Sequence, residues 1–212
     1  MADDVVLIGP NYSVYLRIAR LALLEKGVPH RLEELDIFDE AAIPPDYLQR
    51  HPFKRVPLLL HGDFELYETT AITRYVDEAF DGPALQPREP RQRARMNQVI
   101  AILDSYAYWP LVRVIFVMRH EGLVPDDGVL SDALAAVPRC LGALERLLGK
   151  ASFFSGAHFG LADIHAVPIF SYFLLTPEGK DEMTRRPVLT RWWSRVKERP
   201  SVAATRFAAE AK

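Results

Sequence analysis

One cysteine among 212 residues excludes an internal disulfide and any cysteine-built metal cluster. That residue, Cys140, stands in the helical stretch Val137-Pro138-Arg139-Cys140-Leu141, where a buried, inert thiol is expected. The six histidines are scattered, with no His-x-x-x-His pair and no companion acidic cluster, so no metal site is expected. Charge of one sign is also lacking. A formal net charge of −2 is too weak a field to recruit nucleic acid or an anionic membrane. No run of about 18 uncharged apolar residues exists. The nearest, Ile164 to Leu175, is interrupted by His165 and Pro168, and a spanning helix is not expected. The opening Met1-Ala2-Asp3-Asp4 is acidic and lacks the basic and apolar regions of a signal peptide, which makes the cytoplasm the expected address. Internal repeats and low-complexity segments are absent.

What is present is a globular composition, 49% hydrophobic and 25% charged, long enough for one large domain or two small ones. Val5 to Ile8 reads as a short buried strand stopped by Gly9-Pro10. Val14 to Lys26 carries apolar residues at helical spacing and ends at Gly27. His30 to Ile37 reads as a second strand, parallel to the first, and Asp39 to Arg50 as irregular or weakly helical. Val56 to Leu60 and Phe64 to Tyr67 form a hairpin around His61-Gly62-Asp63. Thr70 to Phe80 is an amphipathic helix with Ile72, Tyr75, Val76 and Ala79 inward. The order is β-α-β, then β-β-α.

Residues 83–90, rich in proline, read as a linker between a domain at 1–82 and another at 91–212. Beyond the linker the strand signals stop. Arg91 to His120 is a long helical pattern kinked at Pro110, Ser131 to Leu148 a helix capped by Ser131, and Leu161 to Leu175 a central core helix. Arg186 to Arg199 is a last amphipathic helix that stops before Pro200. The expected fold is a small α/β domain followed by an all-α one.

Two local features carry chemistry. Pro57 opens an apolar run, Pro57-Leu58-Leu59-Leu60, although proline cannot donate to a ladder. It fits if Val56–Pro57 is cis, a tight turn whose preceding residue offers backbone N–H and C=O groups. Glu68-Thr69 then opens a helix, bringing a carboxylate, a hydroxyl and helix-start amides together. A peptide ligand with its own amine and carboxylate suits such a site.

With these features, the chain resembles the cytosolic glutathione transferase superfamily over nearly its whole length. Gly9-Pro10-Asn11-Tyr12-Ser13, followed by Arg17 and Glu25-Lys26-Gly27-Val28, is similar to the start of bacterial-like, serine-type members. His51-Pro52-Phe53-Lys54-Arg55-Val56-Pro57 resembles the family's Asn-Pro-Phe-Gly-(Lys/Gln)-Val-Pro turn. Gly156 to Asp163 resembles its late capping box, and Arg199-Pro200-Ser201 its final helix boundary. The resemblance implies a thioredoxin-like, glutathione-binding N-terminal domain and an all-helical, electrophile-binding C-terminal domain. It also implies glutathione as co-substrate, no metal and a homodimer, with Phe53 inserted into the neighbouring subunit or held in a local loop contact.

The family's chemical problem is a thiolate near neutral pH. Ser13 at a helix start is the expected catalytic hydroxyl, donating to sulfur while the helix dipole favours negative charge; its alternative reading is an N-cap. Tyr12 and Tyr15 are competing hydroxyls and electrophile-site candidates, or packing residues. Glu68 is expected to pair with the γ-glutamyl ammonium and Thr69 to meet its carboxylate, the alternative being a cap and a dipole partner. Val56, before Pro57, would hold the cysteinyl backbone, and Arg55 would reach the glycyl carboxylate or remain a surface arginine. Tyr106 and Trp109 are electrophile-site candidates or core residues.

His51 and Lys54 replace the common Asn and Gly of the turn, and Gly160 replaces the usual Ser or Thr of the capping box, with Asp163 expected to be structural. The resulting expectation is conjugation of the glutathione thiolate to small apolar electrophiles. Peroxidase or isomerase chemistry on the same site is an alternative, although the Ser-Ser-Cys signature of the isomerase class is absent. A non-catalytic glutathione-binding protein of the same fold is another.

Overall fold

The computed structural model describes residues 4–122 and 126–211; the first three residues of the acidic opening lie outside them. The chain forms two compact units, one holding residues up to Ala84 with those from Ala204 onward, the other Leu85–Ala203.

The N-terminal unit is built on a four-stranded sheet in the order β2-β1-β3-β4, from β1 (Val5–Ile8), β2 (Arg31–Glu33), β3 (Leu58–His61) and β4 (Phe64–Tyr67). β1 runs parallel to β2 and antiparallel to β3, and β3 runs antiparallel to β4. β2 keeps only three of the eight residues expected of it, and Leu35 and Ile37 pack into the core beyond its end. Alternation sorts the strands. Val6, Ile8 and Leu58 share one core with Leu35, Ile37 and Tyr47, while Leu7 and Leu59 point to the other face and are fully buried.

Helix α1 (Val14–Lys26) stops at Gly27, which takes φ 71° and returns its N–H to the Leu23 and Leu24 carbonyls. Lys26 Nζ donates to the Asp77 carbonyl at 3.0 Å in α3 (Thr69–Ala79). The inner face of α3 differs from the expected one. Thr69, Ile72, Thr73 and Val76 are buried, whereas Tyr75 is half-buried and Ala79 exposed. The expected irregular segment contains a 3-10 turn and one turn of helix, α2 (Tyr47–Arg50). At the far end of the chain, Arg17, 2% exposed, pairs with Glu210 and donates from Nε to Thr205 Oγ1 at 3.2 Å, which holds the tail to this unit.

In the helical unit α4 (Pro90–Ile102) is capped by the Glu89 carboxylate and continues in a wider π winding over Leu103–Ala107 and Trp109–His120. The break expected at Pro110 takes this form. Pro110 has no N–H for the Tyr106 carbonyl four residues back, and the Cys140 thiol donates to that carbonyl at 3.0 Å. By length and composition Pro90–Met118 is apolar enough to cross a membrane, contrary to the expectation that no segment would be; 56% of its apolar window is buried inside the protein, as in a core helix.

Helix α5 (Asp127–Leu148) starts earlier than expected because Asp126, not Ser131, caps it, accepting from Gly128 N at 2.8 Å. In α6 (Leu161–Phe173) every residue is buried. Three more helices, α7 (Pro177–Thr184), α8 (Pro187–Val196) and α9 (Pro200–Ala204), each begin on a proline. The missing N–H costs nothing at a first helical position, so Pro200, expected as a stop, is also a start.

Candidate active site

The Val56–Pro57 peptide is cis. The ladder between β1 and β3 ends at the pair Ile8–Leu58, so the Val56 peptide groups lie beyond it and β3 is shorter than the expected Val56–Leu60. Two contacts hold this turn. The Tyr47 hydroxyl donates to the Arg55 carbonyl at 2.6 Å. Tyr47 is 1% exposed, and burial pushes its phenol up to about 12, with Arg50 pulling the other way, so it remains a donor. From the other side Gly9 approaches closely: at φ 148°, a Cβ there would lie 3.0 Å from both Val56 Cβ and Leu16 Cδ1. Only glycine fits both that backbone and that gap. The loop leading to Ser13 and the turn at Val56 are therefore neighbours.

Glu68 and Thr69 divide the start of α3 differently from the expected alternative, in which Thr69 caps the helix. Glu68 holds the N-cap position, its carbonyl accepting from Ile72 N at 2.9 Å, and Thr69 is the first helical residue, 7% exposed. Glu68 has φ 69° and ψ 109°, and its side chain makes no capping bond. A non-glycine residue in this region costs on the order of 1–3 kcal/mol and is found at functional sites. No acidic residue stands in the first turn of the helix.

Ser13 caps α1, its Oγ accepting from Leu16 N at 3.2 Å. Its N–H closes a turn onto the Pro10 carbonyl at 2.9 Å. A hydroxyl that accepts one N–H still has its own proton to donate, so the cap and the catalytic readings are compatible. Tyr12 is committed elsewhere. Burial and then a hydrogen bond to Asp36 raise its phenol to about 12. Tyr15 is half-buried in α1, and Arg55 is exposed.

Tyr106 and Trp109 belong to the helical unit, where they stand 65% and 53% exposed on the π-wound segment; the core reading does not hold for either. A cavity of about 430 Å³ in that unit is lined by Arg95, Gln98, Ile102, Ala143, Arg146 and Leu147 and contains none of the expected site residues. Among the described residues no group of three or more His, Cys, Asp or Glu is arranged to hold a metal ion. Phe53 is 64% exposed, with its ring centroid 6.2 Å from that of Tyr67 and 6.4 Å from that of His51, both in edge-on geometry.

Several residues here had no role in the sequence reading. Tyr47 sat in a weakly patterned stretch, and its bond to Arg55 has no local signature. His51 was noted only as a departure. Ser155 was not noted, although its Oγ accepts from Ala162 N at 3.1 Å and so supplies the cap that Gly160 cannot. Asp163, fully buried, accepts from Phe154 N and Trp192 Nε1 at 2.8 Å each, Ser155 N at 3.1 Å and Gly160 N at 3.2 Å. Burial pushes its carboxyl up, and those four donors pull it back.

The model of the glutathione S-transferase N-terminal domain matches residues 7–84, and that of the C-terminal domain residues 86–193. Glutathione S-transferase F14 of Arabidopsis thaliana is 31% identical over 210 residues, covering 95% of this chain and 82% of that one. Among solved structures, glutathione transferase F2 of Populus trichocarpa superposes with a TM-score of 0.84 at 26% identity, covering 95% of this chain and 96% of that one. A glutathione S-transferase-I bound with lactoylglutathione gives 0.83 at 26% identity, covering 95% and 98%. The F14 and F2 proteins are both from plants, whereas the opening motif was expected to resemble bacterial-like members. With both domain models matched and this identity over nearly its whole length, the chain belongs to the glutathione S-transferase family and is an enzyme of that type.

Proposed function

We propose that this enzyme conjugates the glutathione thiolate to small apolar electrophiles, with Ser13 as the catalytic hydroxyl. The observation that carries this reading is the start of α3, where Glu68 is held at positive φ with no capping bond to its own helix. Glu68 would take the γ-glutamyl ammonium, and the Thr69 N–H and hydroxyl its carboxylate. The Val56 peptide groups, beyond the end of the ladder, would pair with the cysteinyl backbone, with Pro57 shaping the turn and Arg55 reaching the glycyl carboxylate.

The thiol loses its proton to solvent, and the Ser13 hydroxyl donates to the resulting sulfur anion. Lowering a thiol pKa from about 8.5 by about two units needs roughly 2.7 kcal/mol. One hydrogen bond to a charged acceptor contributes about 1.5–3 kcal/mol, and the start of α1 adds about 0.3–1 kcal/mol. Together these suffice. The thiolate then attacks an electrophilic carbon, forming the C–S bond as a leaving group departs with its electron pair. Tyr12, bound to Asp36, is the weaker candidate for this role. We assign the electrophile to the helical unit, where Tyr106 and Trp109 offer exposed rings. We further propose a cytoplasmic, serine-type homodimer in which Phe53, 64% exposed, contacts the second copy.

Ser13→Ala tests the reading. The apparent pKa of bound glutathione, followed by thiolate absorbance, should rise by about one to two units, and kcat/KM with a generic aryl halide should fall about 10- to 100-fold. An unchanged thiol pKa would remove Ser13 from the mechanism.

A further inference from the structure

His51 is 1% exposed, yet its Nδ1 has no hydrogen-bond partner. Its ring lies against Tyr47, with centroids 6.2 Å apart and planes 24° apart, and against Tyr67 at 4.7 Å and 34°. Phe53 closes a further side edge-on at 6.4 Å. Each tyrosine leads to one half of the candidate site. Tyr47 donates to the Arg55 carbonyl, next to Val56. Tyr67 is the last residue of β4 and directly precedes Glu68. The main chain of His51 is fixed as well, with its N–H on the Tyr47 carbonyl at 2.8 Å and its own carbonyl accepting from Lys54 N at 2.9 Å.

We propose that His51 is the positioning residue that ties the Arg55–Pro57 turn to the Glu68–Thr69 helix start, so that both halves of the peptide-binding site are set before glutathione arrives. This rests on the reading of those segments given above. The ring does so as a neutral imidazole. A second proton would put a charge on a ring that is 1% exposed, at a cost in desolvation.

Glu68 and a hydrogen bond to its own backbone favour protonation, and Arg55 opposes it; the rings of Tyr47, Tyr67 and Phe53 pack against it. Burial is the largest influence and lowers its pKa below the ordinary histidine value. A histidine buried neutral takes up its proton only when the packing around it loosens. Its contribution is therefore fully present above about pH 6.5 and is lost as the pH falls below that value. A glutathione ammonium paired with Glu68 would also cancel the field that favours the imidazolium. Imidazolium and ligand thus oppose each other, and the opposition is reciprocal.

S-methylglutathione is the probe, because it lacks the ionisable thiol that would otherwise set the pH profile. Calorimetry between pH 7.5 and pH 5.5 should show the wild-type affinity fall measurably, by less than the roughly tenfold that an unshifted histidine would give. His51→Phe keeps the ring but cannot be protonated, and should bind as tightly as wild type at pH 7.5 with a flat profile. His51→Ala should bind about tenfold more weakly at pH 7.5 and raise KM for glutathione without changing KM for the aryl halide. The same acid loss in His51→Phe, or undiminished affinity in His51→Ala, would overturn the proposal. Wild-type protein that fails to bind S-methylglutathione at pH 7.5 would overturn the reading of the site itself, and this proposal with it.

Discussion

Two helix starts in this molecule treat the same physical problem in opposite ways. At the start of α6 the donors are met from within the unit: Asp163 takes the amides of Phe154, Ser155 and Gly160 and the Trp192 indole, and Ser155 takes Ala162 N. At the start of α3 the residue in the capping position makes no side-chain cap and sits at φ 69°. Both stretches combine a carboxylate with a helix start, and both stood out as motifs. What separates them is where the carboxylate is directed. One that accepts from its own fold is a structural anchor, whereas one that makes no cap to its helix is free for the ligand role proposed above. Ser13 at the start of α1 stands between them, accepting a single amide and keeping its proton.

The largest effect should come from breaking the satisfied start. Asp163→Ala would leave four donors, three of them in buried hydrogen bonds and one of those the Trp192 indole, without their acceptor, at a cost of about 3–5 kcal/mol. That is a large part of the ~5–15 kcal/mol that holds an ordinary domain folded. The variant should unfold at a markedly lower urea midpoint. A midpoint close to wild type would mean that α6 is anchored by its apolar surface alone.

The opposite change at α3 should be nearly harmless to the fold. Glu68→Gly removes the carboxylate and relieves the positive φ, so thermal stability should hold or rise by about 1 kcal/mol. Affinity for glutathione should fall at least about 100-fold, roughly 2.7 kcal/mol. Calorimetry beside a melting curve separates the two. If binding and stability fall together, the contrast between the two helix starts disappears.

How much of this was readable in the sequence follows the range of each interaction. β1, α1 with its Gly27 stop, and β4 have the limits that local patterning predicts, because their ends are set by neighbours in sequence. The helix beginning at Pro200 was obscured because proline marks a start as well as a stop. At the site, Val56-Pro57 and Glu68-Thr69 stand out as short motifs. Their supports do not. Tyr47 reaches Arg55 eight residues on, and His51 meets Tyr67 only across the folded sheet. Gly160 was open to misreading for the same reason, since the hydroxyl that replaces its cap belongs to Ser155.

Gly160 supplies the smallest and most discriminating test. Local capping rules predict that Gly160→Ser, which restores the family's usual residue type, stabilises by a few tenths of a kcal/mol. The fold predicts the reverse. A Cβ at position 160 would lie 2.4 Å from the Leu85 carbonyl oxygen and 2.8 Å from Ser155 Oγ, in a space whose capping bond is already made by Ser155. Backbone and cap would both have to shift, and overpacking of this kind costs about 1–3 kcal/mol. Ser155→Ala alone should cost about 1 kcal/mol. Gly160→Ser combined with Ser155→Ala should recover part of the loss, because the new hydroxyl can then occupy the vacated position. Denaturant midpoints of the three variants decide the matter: a stabilised Gly160→Ser would show that the helix start has room, and the contrast with α3 would then rest on Asp163 alone.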